Sequence, residues 1–278
     1  MTIADLSDPT SVGYLRIGLH SVHSVRCHFR NSAIVRWGAA FFGPHFFTGL
    51  GALPRYFVEW KIYNKRAVTP QISFRDSYPC LADRVVATPF DPHYFFQAAW
   101  LARRLNEKRP SLHVDVGSSA MMINVLSAGV KTVFVDYRPL HVRLSNLSSL
   151  AGDIVRLPFQ DGSITSLSCL HVLEHIGLGR YGDPIDPNGS LLAATELQRI
   201  LKSGGRLFLS VPVGRERVCF NAHRVFLPRT VRDFFRELQL KAFSLVDDAG
   251  RFNEEVPPEA GNNLEYGCGL FEFVKVRE

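Results

Sequence analysis

Cysteine is sparse and scattered. The five residues, Cys27, Cys80, Cys169, Cys219 and Cys268, include no C-x-x-C pair, and their odd number in a 278-residue chain argues against a disulfide framework or a zinc ribbon. Reduced thiols in a cytoplasm are the expectation. Internal repeats and low-complexity tracts are also absent. The opening MTIADLSDPT has two acidic residues and no apolar core behind a basic patch, so no secretory leader is expected. A dinucleotide fingerprint G-x-G-x-x-G is missing too, since Ser119 and Met122 follow Gly117 where further glycines would stand, and this disfavours an NAD or NADP enzyme.

What is present has globular proportions. Hydrophobic residues make up 46% and charged residues 21%, which sets aside disordered, collagen-like and coiled-coil classes. The length fits two average domains or one large α/β domain with extensions. The net charge of +6 is uneven: residues 1–110 carry 14 Lys and Arg against 7 Asp and Glu, and the remainder 18 against 19. Those N-terminal arginines are scattered and form no recognised module, so nucleic acid is not the expected partner. Residues 37–54 are uncharged, but Gly43-Pro44 and Gly38, Gly49 and Gly51 break the run, so a single membrane span is not expected. With Arg26, Arg30 and Arg36 before it and Arg55, Lys61, Lys65 and Arg66 after it, the segment either packs its aromatics on the main domain or rests peripherally on an anionic bilayer.

From Asp91 the pattern becomes regular. Asp91-Pro92 is a helix start, because Asp caps free amides and Pro fits the first turn, and the helix is predicted to reach about Lys108. LHVDV (112–116), KTVFVD (131–136), part of GDIVRLPF (152–159), ITSLSCL (164–170) and RLFLSVPV (206–213) read as buried strands. Helices are predicted over AMMINVLSA, over a short stretch after 170 cut by Gly177 and Gly179, and over 190–202, where Lys202-Ser203-Gly204-Gly205 supplies the stop. Alternating strands and helices predict a mostly parallel sheet covered on both faces, with ligands at the carboxyl ends of its strands. The division expected is a basic, aromatic-rich extension over 1–90 and an α/β domain over 91–278.

The strand ends carry the candidate site. Gly117 lets a ligand approach the backbone after the first strand. Asp136 lies about 20 residues beyond that turn, where a carboxylate accepts from both hydroxyls of an adenosine ribose or caps the next segment. Asp153 either accepts from an adenine amine, with Ile154 and Val155 against the ring, or is a turn residue.

Together these residues resemble the class I S-adenosylmethionine-dependent methyltransferases. The resemblance rests on VDVGSS (114–119), FVD (134–136), GDIVRLPFQDGSITSLSCLHVLEHIG (152–177), LQRILKSGGRLFLSVPVG (197–214) and HRVF (223–226), in the family's order, although the first motif has one glycine where the family carries two or three. It implies a three-layer Rossmann-like sandwich with a seven-stranded, mostly parallel sheet and an antiparallel last strand, plus a helical or irregular N-terminal extension. LKAFSLVDD (240–248) and GLFEFVKV (269–276) would form the closing antiparallel pair, 249–268 the loop between them, and Glu254, Glu255 and Glu259 solvated positions. The cofactor implied is S-adenosylmethionine, with Asp115, Gly117 and Ser118 at the methionine moiety, Asp136 at the ribose, Asp153 and Ile154 at the adenine, Leu170 and His171 lining the rest, and Tyr137 among the cofactor-binding residues. A narrower likeness, through YPCLADR (78–84), TPFDPHYFFQAAW (88–100), EHIGLGRYGDPIDPNG (174–189) and FNAHRVF (220–226), is to a domain of unknown function first noted in nematode proteins.

HVLEH (171–175) also fits the zinc-hydrolase pattern H-x-x-E-H, but the glycines that follow end any supporting helix, so no metal site is read here. The glycine-rich loop 177–189 carries Arg180, Tyr181, Asp183 and Asp186 and is expected to face substrate, with Asn221, His223 and Arg224 on the same rim or else serving loop solvation and helix capping. Methyl transfer needs a base only where the acceptor loses a proton; His171, His175 and His223 are then the candidates. The acceptor is unidentified, a sugar or lipid-linked glycan at a membrane surface being the suggestion of the 37–54 segment. The alternative is a non-catalytic binding protein of the same fold.

Overall fold

The structure, a computed structural model, describes residues 46–68 and 72–276. Cys27, the opening segment, residues 37–45 and the arginines at 26, 30 and 36 lie outside the described residues. Contacts divide the chain between Pro89 and Phe90.

In the N-terminal unit, α1 (Phe46–Arg66) continues through Gly49, Gly51 and Pro54, so part of the glycine-loosened stretch is helical. Arg55 and Arg84 both approach Glu59, at 4.0 and 3.5 Å. Among the described residues, no helix is long and apolar enough to cross a membrane.

The second unit is built on one large sheet. α2 (Pro92–Lys108) starts where the sequence placed it: Asp91 accepts from the amides of His93 (2.9 Å) and Tyr94 (3.3 Å), and Pro92 occupies the first turn. β1 (His113–Val116), α3 (Ala120–Leu126), β2 (Thr132–Asp136), β3 (Leu147–Ala151), β4 (Ile164–Leu170), α4 (Gly189–Ile200), β5 (Leu201–Val213), the hairpin β6 (Arg217–Cys219) and β7 (His223–Val225), α5 (Pro228–Phe234), β8 (Leu238–Val246), β9 (Phe252–Asn253) and β10 (Gly267–Lys275) follow. The sheet order is β3-β2-β1-β4-β5-β10-β8-β9. β10 runs antiparallel to both β5 and β8, and the two-residue β9 adds an eighth strand to the seven expected.

Period-two alternation makes the sandwich, because neighbouring side chains of a strand point to opposite faces. Val133, Val135, Leu207 and Leu209 face one apolar layer under Ala193, Leu197 and Ile200 of α4. Phe134, Phe208 and Leu270 face the other, under Trp100 and Leu101 of α2 and Ile123 of α3. A three-layer Rossmann-like arrangement results.

Three local expectations are corrected. The third strand is LSSLA (Leu147–Ala151), not within GDIVRLPF: it is a half-buried edge strand whose serines conceal it, and the apolar residues of 152–159 are buried by a turn instead. That turn is held from outside, Leu157 N donating to Glu196 Oε1 (2.6 Å) and Arg199 to the Phe159 carbonyl (3.0 Å). The helix at 190–202 ends at Ile200, and the glycine pair lies inside β5 near an irregularity in its pairing with β4. Residues 249–268 contain β9 and a 3₁₀ turn at Pro258–Gly261 in addition to loop.

A polar relay crosses the centre of the sheet. His113, fully buried, places Nδ1 and Nε2 each 2.8 Å from the hydroxyls of Ser166 and Ser168, and Ser168 donates to Asp115. The Ser168 hydroxyl has one hydrogen; given to Asp115, it leaves an oxygen that accepts from His113 Nε2–H, while Nδ1 accepts from Ser166. Burial pushes the His113 imidazole down to about 3. The folded protein thus takes up this proton only near pH 3, whereas the unfolded chain takes it up below pH 6.5, so stability falls as pH drops through that window. Between pH 6.5 and about 4 the wild type should lose about 3 kcal/mol more than His113→Gln. Urea unfolding at both pH values measures this, and an equal loss in both proteins would contradict a neutral, buried His113.

Candidate functional site

The site forms where β1, β2 and β4 end side by side. After β1 the backbone turns at Gly117, whose φ of +71° favours glycine and where a Cβ would stand 3.1 and 3.2 Å from the methyls of Val172. Asp115, fully buried, accepts from Ser118 N (3.1 Å) and Ser168 Oγ. Burial raises its carboxyl to about 6 against those hydrogen bonds. Ser118 Oγ accepts from Leu170 N at 2.9 Å. Asp115, Ser118 and Leu170 therefore lie behind the site and brace it; they do not line it.

An open cavity with about 720 Å³ of empty space sits above this brace. Gly117, Asp136, Tyr137, Asp153 and Ile154 line one part, and His171, His175, Tyr181 and Asp183 another. Asp136 accepts from Arg138 N through Oδ1 (2.7 Å), and its Oδ2 lies beside Gly117. Asp153 makes the turn anticipated as its other role, accepting from Val155 N at 3.1 Å, while still bordering the cavity. Nine of the residues singled out from sequence thus converge on one space.

The two histidines of HVLEH are engaged differently. His171 is the first residue beyond β4 and has a φ of +54°, uncommon for a side-chain-bearing residue. Its Nδ1 is 2.8 Å from Oε1 of Glu174, which is fully buried; His171 Nε2 and Glu174 Oε2 have no hydrogen-bond partner. His175 Nδ1 donates to the Ala222 carbonyl at 2.6 Å, and burial lowers its affinity for a second proton. Only a 3₁₀ turn, Leu173–His175, joins them, so the helix that an H-x-x-E-H zinc hydrolase needs is not there.

The substrate-facing rim needs correction. Arg224 is buried, and its guanidinium donates to the Ile176 carbonyl (2.7 Å), to Ser190 Oγ (3.1 Å) and, more distantly, to the carbonyls of Glu174, Asp186 and Pro187. It clamps the loop instead of meeting solvent, because those carbonyls need donors once buried. Asn221 donates to the Leu178 carbonyl at 3.4 Å and Arg180 to the Ala222 carbonyl at 3.0 Å, neither lining the cavity. His223, on β7, packs its ring 5.0 Å from that of Tyr266, also outside the cavity. Asp183 accepts from the amides of Gly177 (2.7 Å), Tyr181 (3.2 Å) and Gly179 (3.3 Å), which hold its carboxylate below the ordinary range although burial acts the other way. Gly177 has a φ of +81°, and a Cβ there would fall 1.9 Å from the Asp186 carbonyl oxygen.

Sequence reasoning overlooked Arg138 and Val172, which also line the cavity. Arg138 stacks its guanidinium over the Tyr181 ring at 4.5 Å, and its place just after β2 was the available signal. His93, Tyr94, Tyr266 and Cys268 were overlooked as well. The rings of His93 and Tyr94 stack 5.6 and 5.4 Å from that of His171, a meeting of distant segments with no local signature.

Residues 141–240 match the model of a family described as Caenorhabditis protein of unknown function, DUF268. An uncharacterized protein of Methanocaldococcus jannaschii is 25% identical over 163 residues, which is 56% of this chain; the chain spans 65% of that relative's length. Among solved structures, the N-methyltransferase NodS from Bradyrhizobium japonicum, in complex with S-adenosyl-L-homocysteine, is 18% identical with a TM-score of 0.48, covering 72% of this chain and 92% of its own. A putative methyltransferase in complex with the Haloferax volcanii activator Trm112 is 17% identical with a TM-score of 0.45, covering 68% and 100%. YcgJ from Bacillus is 13% identical with a TM-score of 0.48, covering 66% and 100%.

Replacing the Arg224 clamp should expose its importance. Arg224→Met leaves buried carbonyls without donors and is expected to cost about 3 kcal/mol in urea unfolding. Amide exchange over 176–189 should rise with it, and wild-type exchange there would show that the loop does not depend on the guanidinium.

Proposed function

We propose that the chain binds S-adenosylmethionine in the cavity and transfers its methyl group to an acceptor. The observation that carries this reading is the position of the Asp136 carboxylate at the end of β2, beside the Gly117 turn and in the same cavity as Asp153 and Ile154. Three subsites are then adjacent: an open backbone turn for the methionine portion, a carboxylate for the ribose hydroxyls, and an apolar side chain with a carboxylate for the adenine.

Methyl transfer from a sulfonium is an in-line displacement: the acceptor atom bonds to the methyl carbon as the carbon–sulfur bond breaks and its electron pair returns to sulfur. The protein's part is to align the two and exclude water. His175 is the base this geometry favours for a hydroxyl acceptor. Its Nδ1–H is engaged by the Ala222 carbonyl, which leaves Nε2 as the lone-pair nitrogen, and burial keeps the ring neutral near pH 7. Tyr181, with Arg138 and Arg180 against its ring, is the aromatic surface for the acceptor. A sugar or lipid-linked glycan remains the acceptor class we favour, on the apolar segment 37–54 and its basic flanks.

Calorimetric titration with S-adenosylmethionine and S-adenosylhomocysteine tests the reading. Asp136→Asn removes a charged acceptor worth about 1.5–3 kcal/mol and should weaken both ligands by roughly ten- to a hundredfold. A folded wild type that binds neither would overturn the proposal, and one that binds both but methylates no acceptor would make it a binding protein.

A further inference from the structure

His93, His171 and Cys268 come from the start of α2, the end of β4 and the second residue of β10, and one ligand atom from each lies within 4.8 Å of the others. Cys268 is fully buried and His171 nearly so, its side chain 5% exposed. His171 Nε2 has no nitrogen or oxygen partner in this nest and faces the Cys268 thiol. Its other nitrogen is held by the buried Glu174 carboxylate at 2.8 Å. A carboxylate on one imidazole nitrogen, with the other nitrogen left to face a ligand, is the arrangement by which proteins orient a metal-binding histidine and raise its basicity.

We propose that His93, His171 and Cys268 bind a divalent transition-metal ion of the zinc class, with Glu174 as the positioning residue for His171. Two imidazoles and a thiolate are ligands of borderline softness, which favours zinc over magnesium or calcium. Tetrahedral bonds of about 2.0–2.3 Å put ligand atoms about 3.5 Å apart, so the observed cluster closes on an ion by side-chain adjustments of about an ångström. Binding transfers the Cys268 thiol proton to solvent and forms a sulfur–metal bond; both imidazoles bind neutral, with the Nδ1 proton of His171 remaining on its hydrogen bond to Glu174. Three protein ligands leave a fourth position for water or an exogenous atom, the pattern of chemically active zinc sites. His171 also lines the cavity, so the ion would sit at its edge. The proposal does not rest on the methyl-transfer reading, and it differs from the H-x-x-E-H pattern, with which it shares His171 and Glu174, because His175 takes no part.

The test is metal analysis of the full chain after equilibration with zinc and exhaustive dialysis, with cobalt(II) as the spectroscopic substitute. One ion per chain is expected, and the cobalt form should show a thiolate-to-metal charge-transfer band with the intense visible bands of a tetrahedral site. Cys268→Ser should abolish the charge-transfer band. His93→Ala, at a half-buried helix start, should weaken zinc at least tenfold, and Glu174→Gln roughly ten- to a hundredfold. Asp136→Asn should bind zinc as the wild type does, which separates this result from the cofactor titration. A folded wild type that takes up no zinc would overturn the proposal, as would zinc affinity unchanged in His93→Ala or a charge-transfer band surviving in Cys268→Ser.

Discussion

A carboxyl group buried at the middle of a parallel sheet must find its donors inside the protein, and Asp115 finds them in two places at once. The amide of Ser118 closes the turn around Gly117, and the hydroxyl of Ser168 ties β1 to β4. Ser118 then returns its own hydroxyl oxygen to the Leu170 amide, one residue before His171. The opening of the cavity and the placement of its histidine are thus set by one chain of hydrogen bonds. Leaving such a carboxylate without donors costs several kcal/mol, a large share of the net stability of any domain, so the strand ends are held in register by polar satisfaction as much as by apolar packing.

The same logic governs the loop over the other side of the cavity. Asp183 gathers three amides of 177–181, and Arg224 serves carbonyls between Glu174 and Pro187, so each charge is neutralised by backbone dipoles. A glycine-rich loop of this length would otherwise lose much entropy on ordering. Charged groups here are structural because they face inward. The exposed Tyr181, between two guanidinium groups, is a part of the loop turned to the cavity.

Most of the sheet was legible in the sequence because central strands are buried on both faces and read as apolar, β-branched runs. β3 escaped for the converse reason: an edge strand needs little apolar content, and LSSLA has little. The cavity-lining residues were legible wherever a strand end fixes them, as at Gly117, Asp136 and His171. Arg224 was misread because a sequence does not state whether an arginine after a strand turns outward or beneath the loop. The cluster of His93, His171 and Cys268 had no signature at all, since α2 and β10 are brought to β4 only by sheet order and helix packing.

Position 171 concentrates the costs of the site. A left-handed conformation disfavours any residue but glycine by about 1–2 kcal/mol, and each unpaired polar atom beside it costs a further 1–3 kcal/mol or so. Four residues on, His175 shows the relaxed alternative, with its Nδ1 satisfied by a carbonyl. A glycine at 171 would relieve the backbone, and an apolar residue at 174 would remove the unpaired oxygen, without disturbing the apolar layers on either face of the sheet. The strain and the unsatisfied atoms are therefore not required by those layers. They coincide with the one imidazole that borders both the cavity and the buried thiol of Cys268, which is where an arrangement kept for binding, and not for stability, would place them.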